Sequence, residues 1–271
     1  MTSKYDLHIH SSYSDGTDSP KEILDKAKEL GITNISITDH DTIKATKEAR
    51  EYAKKLNINY VNGVELSTFS LMEVHILGYG FDENNDFLQT TLNDFSQKRK
   101  ERVKKILEML AKQKIIINEE DLVDSDSIGR LHVANALVNK GYVSSIPEAF
   151  DRYLGAKGCA YLPSRRITPF EGVDIIKKAG GIPVIAHPLR FLQTKILPDL
   201  IEGLKKYGLG GIEVYYNTHD EQTRKELYSL AQKNRLLATG GTDYHGKNRN
   251  LEMGSVIWEP DKYTISKLHL K

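Results

Sequence analysis

Short apolar runs in this chain end repeatedly on an imidazole or a carboxylate. The first is Tyr5-Asp6-Leu7-His8-Ile9-His10. The pattern recurs at Thr38-Asp39-His40, Gly63-Val64-Glu65, Val74-His75, Ala186-His187-Pro188 and Thr242-Asp243-Tyr244-His245. With Asp15, in a turn closed by Gly16, the set is His8, His10, Asp15, His40, Glu65, His75, His187, Asp243 and His245, which holds six of the chain's nine histidines. Imidazoles and carboxylates placed at successive strand ends have little structural use. They suit a multinuclear site for Zn, Mn or Fe, which take both ligand types.

Strands and helices alternate in a way that could bring those ends together. Tyr5–Ile9 reads as a strand. Ser19-Pro20-Lys21-Glu22 is a capping box with proline at the first helical position. Ile23, Leu24, Ala27 and Leu30 share one helical face, and Gly31 stops the helix. Strands are expected at Asn34–Thr38, Asn59–Leu66 and Glu73–Tyr79, with a helix over 43–56. The order β-α-β-α-β predicts a largely parallel sheet or barrel. From 86 to 113 the apolar spacing, including Leu88, Leu92, Val103, Ile106 and Leu110, is that of one long helix. Shorter helices are predicted at 129–140 and 146–153, so residues 91–159 read as a helical insertion between barrel segments 1–90 and 160–271. Thr168-Pro169-Phe170-Glu171 repeats the cap chemistry of Ser19–Glu22. Strands follow at Ile182–Ala186, Gly211–Tyr215 and Leu236–Thr239, with helices near 197–207 and 219–233. The last apolar segment is Ser255–Trp258.

At 271 residues the chain suits one α/β barrel with an insert. A net charge of +1 gives no global field toward nucleic acid. The single cysteine, Cys159, excludes a disulfide framework and thiolate zinc sites, and fits a reducing cytosol. The N-terminus has no apolar signal core, and no apolar run approaches the ~18 residues of a membrane span. A cytoplasmic protein is expected, with no membrane association and no obligate protein partner.

On a strand the period of two places His8 and His10 on one face, with Leu7 and Ile9 facing the layer beneath the helices. His40 follows a second strand. Asp39 is expected to orient an imidazole and Asp41 to cap the next helix. Glu65 could bridge two cations with its two oxygens. His75 is flanked by apolar residues on both sides, where a core role is the alternative. His187 stands at the end of an apolar strand that Pro188 terminates sharply. Gly240-Gly241 provides flexibility before Asp243 and His245. The basic run Gln97-Lys98-Arg99-Lys100-Glu101-Arg102 reads as a solvated helix face, and Tyr215 and Tyr216 as core packing rather than base stacking.

Taken together, these motifs resemble the PHP (polymerase and histidinol phosphatase) superfamily. The resemblance covers both barrel segments and implies an α/β fold, a distorted (β/α)7 TIM-like barrel with two to three divalent ions at its C-terminal mouth. It implies one ion at His8, His10, Glu65 and Asp243. A second would be held by Glu65, His75 and His187, and a third by Asp15, His40 and His245. Mn²⁺ is the expected metal, with Zn²⁺ and Fe²⁺ compatible. Gly129-Arg130-Leu131-His132-Val133-Ala134 and Ala186-His187-Pro188-Leu189-Arg190 resemble segments of the small bacterial PHP phosphoesterases. These act on 3′,5′-nucleoside bisphosphates and on 5′ ends of short RNA.

Arg130, His132 and Arg190 are the implied substrate-binding residues, and Arg130 and His187 the implied catalytic ones. The expected activity is hydrolysis of a nucleotide phosphate monoester, or of short oligoribonucleotides from the 5′ end, by metal-activated water. The alternatives are a histidinol-phosphate phosphatase and a metal-dependent amidohydrolase. The paired ending Asp243–His245 and the pair Asp15 and His40 count against the amidohydrolase.

Overall fold

The computed structural model describes residues 4–271 apart from 71, 124, 164, 165, 191 and 193. The chain divides into two compact units, Met1–Thr90 with Arg166–Lys271, and Thr91–Arg165. The first is a mixed α/β unit. Strands β1 (Tyr5–Ile9), β2 (Asn34–Ile37) and β3 (Asn59–Tyr60) form a three-stranded parallel sheet. Strands β4 (Gly63–Phe69), β5 (Glu73–Tyr79), β6 (Ile182–Ile185), β7 (Gly211–Tyr215) and β8 (Leu237–Gly240) form a second sheet in that order.

Two expectations need correction. The strand predicted over Asn59–Leu66 is split. Its first part pairs with β2 and its second with β5. Gly63 stands at the break, where a Cβ would meet Ser36 Oγ at 2.0 Å, so only glycine can pass β2 so closely. The second sheet is also not parallel throughout, because β5 runs antiparallel to both β4 and β6. Residues 70–72 alone connect β4 to β5, too few for the crossover that a parallel pair needs.

Among the described residues the strands do not form a closed barrel. Isolated bridges join the sheets at one end, Ile9 with Tyr244 and His40 with Glu65. Backbone bonds reinforce them. Asp243 N–H donates to His8 O (2.8 Å), His10 N–H to Tyr244 O (2.8 Å) and Glu65 N–H to Asp39 O (3.1 Å). These links run through the same short segments that carry the histidines and acids.

Helix α1 (Pro20–Glu29) begins on the Ser19–Glu22 capping box, and α2 (Ala45–Leu56) packs beside it. Their buried faces, with Ile9, Ile35 and Ile37, make one apolar cluster. Leu7 does not join it. The pairing of β1 with β2 shifts register between Asp6 and Ile9, and Leu7 instead packs with Leu77, Tyr79, Val184 and Trp258.

The remaining helices follow in chain order. Helix α3 (Asp86–Lys112) leads into the second unit, where α4 (Arg130–Asn139), α5 (Ile146–Ala149) and a wide turn at Phe150–Leu154 follow. That unit has its own core around Ile106, Leu110, Val133 and Leu137. Helix α6 (Pro169–Lys178) starts on the Thr168–Glu171 capping box. It is followed by α7 (Leu197–Lys205) and α8 (Glu221–Asn234). The chain then adds a helix that the sequence pattern did not announce, α9 (Lys262–Leu268), capped by Asp261. Among the described residues no helix is long and apolar enough to cross a membrane.

Gly241 serves close packing rather than flexibility. A Cβ there would lie 2.4 Å from His8 Cβ and 2.5 Å from His8 N. Backbone cannot yield as a side-chain tip can. Gly241→Ala should therefore destabilise the protein by about 1–3 kcal/mol and displace His8. A lower unfolding midpoint and weakened metal uptake are expected; unchanged values for both would show that the loop relaxes freely.

Candidate metal centre

The nine residues singled out above meet at the joined strand ends. His8 belongs to β1, Glu65 to β4 and His75 to β5, while His10, His40, His187, Asp243 and His245 lie just beyond strands. His75 is not at a strand's C-terminal end. It sits near the start of antiparallel β5, opposite Ser67, and the reversal of direction delivers it to the same place.

Among the described residues three groups have ligand atoms within 4.8 Å of one another: His8, His10, Glu65 and Asp243; His40, Glu65 and His75; and His10, Asp15, His40 and His245. The first is the set implied by resemblance. The second contains His40 where His187 was expected, although His187 Nε2 is 3.0 Å from Glu65 Oε1. The third gains His10, which turns Nε2 toward Glu65 (3.1 Å) and Nδ1 toward Asp15 (3.6 Å).

The spacing tests whether a cation fits. Ligand bonds of about 2.0–2.2 Å place neighbouring donor atoms roughly 3.0–3.5 Å apart in tetrahedral or octahedral geometry. In the first group His8 Nε2 is 3.4 Å from Glu65 Oε2 and 3.5 Å from Asp243 Oδ1. His10 Nε2 is 3.1 and 3.3 Å from the same two atoms. These atoms are buried, and His8 Nε2, both nitrogens of His10, Asp15 Oδ1, His40 Nδ1, Glu65 Oε2 and His245 Nε2 have no hydrogen-bond partner. Buried polar atoms without partners are costly. Here they converge at coordination spacing, so the donor set fits divalent ions.

Electrostatics point the same way. Burial works against charge on His10 and His75, but the acids beside them win and raise each ring to about 9, Asp243 and Glu65 acting on His10 and Glu65 and Glu73 on His75. Burial likewise opposes charge on Glu65, Asp15 and Asp243, yet the surrounding imidazoles hold all three well below the usual carboxylate range. Burial pulls His40 down to about 3 and also lowers His187.

His187 has a left-handed φ of 25° just before Pro188, a conformation that costs roughly 1–3 kcal/mol outside glycine. Its N–H donates to Glu213 Oε2 at 2.6 Å. Glu213, from β7, also lies 2.9 Å from His8 Nδ1 through its other oxygen. Sequence reasoning passed over Glu213. The available signal was Gly211-Ile212-Glu213, which repeats the form of Gly63-Val64-Glu65.

Asp39 and Asp41 do not do what was expected of them. Asp39 accepts from Ser11 N–H (2.7 Å), Ser11 Oγ (2.6 Å) and Ser14 Oγ (2.6 Å), fixing the loop before Asp15 rather than a ring. Asp41, with φ 52°, accepts from Ser67 N–H at 2.8 Å, and α2 begins without a side-chain cap.

Arg190 and Tyr216 each place a donor 2.9 Å from Asp243 Oδ2, and Arg249 donates to the same oxygen. Arg249 was not foreseen, and Tyr216 lines the site instead of merely filling core. Tyr215 does pack against Trp258, ring centres 5.4 Å apart. In the helical unit, Arg130 Nη1 donates to Leu154 O (3.1 Å) and its guanidinium lies over Phe150 and Tyr161. His132 Nδ1 accepts from Gly129 N–H at 3.1 Å.

Comparison with known proteins agrees with this geometry. The PHP domain family matches residues 6–158, and the chain belongs to that family. It is 35% identical to the 5′-3′ exoribonuclease of Haemophilus influenzae, over 96% of this chain and 99% of the relative. It is 30% identical to the 3′,5′-nucleoside bisphosphate phosphatase of Chromobacterium violaceum, over 89% and 86% respectively. A crystal structure from Bifidobacterium adolescentis, provisionally assigned as a metal-dependent phosphoesterase, superposes with a TM-score of 0.86 at 29% identity, covering 99% of this chain and 96% of that one.

The raised histidines give a pH prediction. Without a cation, His10 and His75 titrate near 9 in the folded protein against 6.5 when unfolded. A folded value raised in this way stabilises fully below pH ~6.5 and is lost as pH climbs toward 9. Ion binding requires deprotonated rings and so strengthens over the same interval. The rise in unfolding midpoint caused by Mn²⁺ should be larger at pH 9 than at pH 6. An equal rise at both would contradict this account of the cluster.

Proposed function

We propose that this chain is a metal-dependent phosphoesterase that acts on a 3′,5′-nucleoside bisphosphate or on the 5′ end of short RNA. The observation that carries this reading is the buried set of unpartnered imidazole and carboxylate atoms at coordination spacing, with arginines at its edge. The two named relatives supply the substrate class, and the fit of the donor set supplies the chemistry.

His8, His10, Glu65 and Asp243 would hold one ion. Glu65 and His75, with His40 or His187, would hold a second, and Asp15, His40 and His245, with His10, a third. Mn²⁺ is our choice of metal. Divalent ions so held offset negative charge on phosphate oxygens and lower the pKa of water.

The chain's own residues do the rest. Arg190 and Arg249 reach the cluster through Asp243 and can present planar donors to phosphate oxygens. His187 is held neutral by burial, which suits a lone-pair ligand better than an acid. We assign residues 91–159 as the insertion that contributes Arg130 and His132 to substrate binding. We read β1, β2 and β4 to β8 as the staves of a distorted, incompletely bonded barrel.

The direct test is phosphate release by the Mn²⁺-loaded protein from adenosine 3′,5′-bisphosphate, a 5′-phosphorylated short RNA and histidinol phosphate. Turnover of either of the first two is expected, with loss after chelation and in Asp243→Asn. Turnover of histidinol phosphate alone would move the protein to that activity, and no turnover with metal content verified would sink the proposal.

Arg130→Ala should lower kcat/KM by roughly 10–100-fold, the scale of ~1.4–3 kcal/mol for a charged hydrogen bond. If the variant instead melts earlier with kcat/KM intact, Arg130 serves only its contacts to Leu154, Phe150 and Tyr161.

A further inference from the structure

Glu213 is completely buried in β7, where its carboxylate is shut off from solvent. One oxygen lies 2.9 Å from His8 Nδ1 and the other accepts the His187 N–H at 2.6 Å. A buried carboxylate needs such partners to compensate lost hydration. The partners here are unusual because they belong to two different parts of the metal centre. His8 faces Asp243 and one oxygen of Glu65, while His187 faces the other oxygen of Glu65.

We propose that Glu213 is a positioning residue that couples two ion sites by fixing the His8 ring through Nδ1 and the His187 backbone through its amide. The inference rests on the metal-dependent reading above and assigns Glu213 a role within it. The contact at Nδ1 places the ring proton there and leaves the His8 Nε2 lone pair directed at Glu65 and Asp243. An outer carboxylate of this kind orients an imidazole ligand and increases its basicity. The contact at the His187 amide holds a left-handed backbone that nothing in a histidine before proline favours. One side chain thereby sets the aim of ligands on either side of Glu65. The group around Asp15, His40 and His245 is held by contacts of its own and lies outside the reach of these two bonds.

Glu213→Gln separates this role from general support. The amide keeps the shape and one acceptor oxygen but turns an NH₂ toward the other partner. Titration with Mn²⁺ alone, followed by electron paramagnetic resonance of the free ion, should show affinity reduced by roughly 10–100-fold at the sites served by His8 and His187. The site of Asp15 should keep wild-type affinity, and Asp15→Asn identifies which ion that is. Wild-type affinity at every site, or an equal loss at all of them, would overturn the proposal.

A second measurement needs no variant. Ring-nitrogen NMR of the wild-type protein loaded with diamagnetic Zn²⁺, which takes imidazole as a neutral ligand, should show the His8 proton on Nδ1. A proton on Nε2 with the ion bound would overturn the role of Glu213 whatever the variants do. Failure to take up any divalent ion would instead overturn the metal-dependent reading, a result distinct from metal bound with the proton on Nε2.

Discussion

The carboxylate of Glu65 is the point on which the site turns. Its Oε2 lies 3.4, 3.1 and 3.2 Å from nitrogens of His8, His10 and His40. Its Oε1 lies 2.9 and 3.0 Å from His75 and His187. Five rings from four segments thus face one buried acid. An isolated carboxylate would not tolerate that depth in its charged form, and five imidazoles would not crowd together without it. Strand ends, loop bonds and the missing Cβ at Gly241 can all be understood as means of holding this cluster.

Much of this was legible in the sequence, for identifiable reasons. A strand's period of two is rigid, so His8 and His10 had to share a face. The capping boxes at Ser19 and Thr168 are local chemistry and appear where their residues predict. The joint pattern of histidines and acids was informative because most members follow an apolar run, and apolar runs locate strands; Asp15, in a turn, and His75, near the start of β5, are the exceptions. What the sequence could not convey was direction and register. Asn59–Leu66 looks continuous, and only the approach of Gly63 to Ser36 shows why it divides. The reversal at 70–72 decides that β5 is antiparallel, and the bulge between Asp6 and Ile9 sends Leu7 and Ile9 to different apolar clusters.

The residues that escaped notice are Glu213, whose His8 partner lies far away in the chain, and Arg249, whose Asp243 partner is close by. Glu213 stands 205 positions from His8, and Arg249 has no motif around it. Asp39 and Asp41 were noticed but misjudged. Acids beside a histidine invite a ligand-orienting role, whereas one ties down Ser11 and Ser14 and the other meets the Ser67 amide across a bridge. Short-range neighbours in sequence proved poor guides to hydrogen-bond partners where strand ends crowd together.

The order in which the polypeptide supplies the cluster has one more consequence. His8, His10, Asp15, His40, Glu65 and His75 all precede residue 90, and the β4–β5 hairpin pairs the last two segments across a three-residue gap with little loop-closure entropy. Asp243 and His245 come only after β8. A polypeptide terminated before β8 would own seven of the nine residues of the constellation without the acid that completes its first group. Competence of the first group is therefore acquired only when β8 and the loop that follows it are in place.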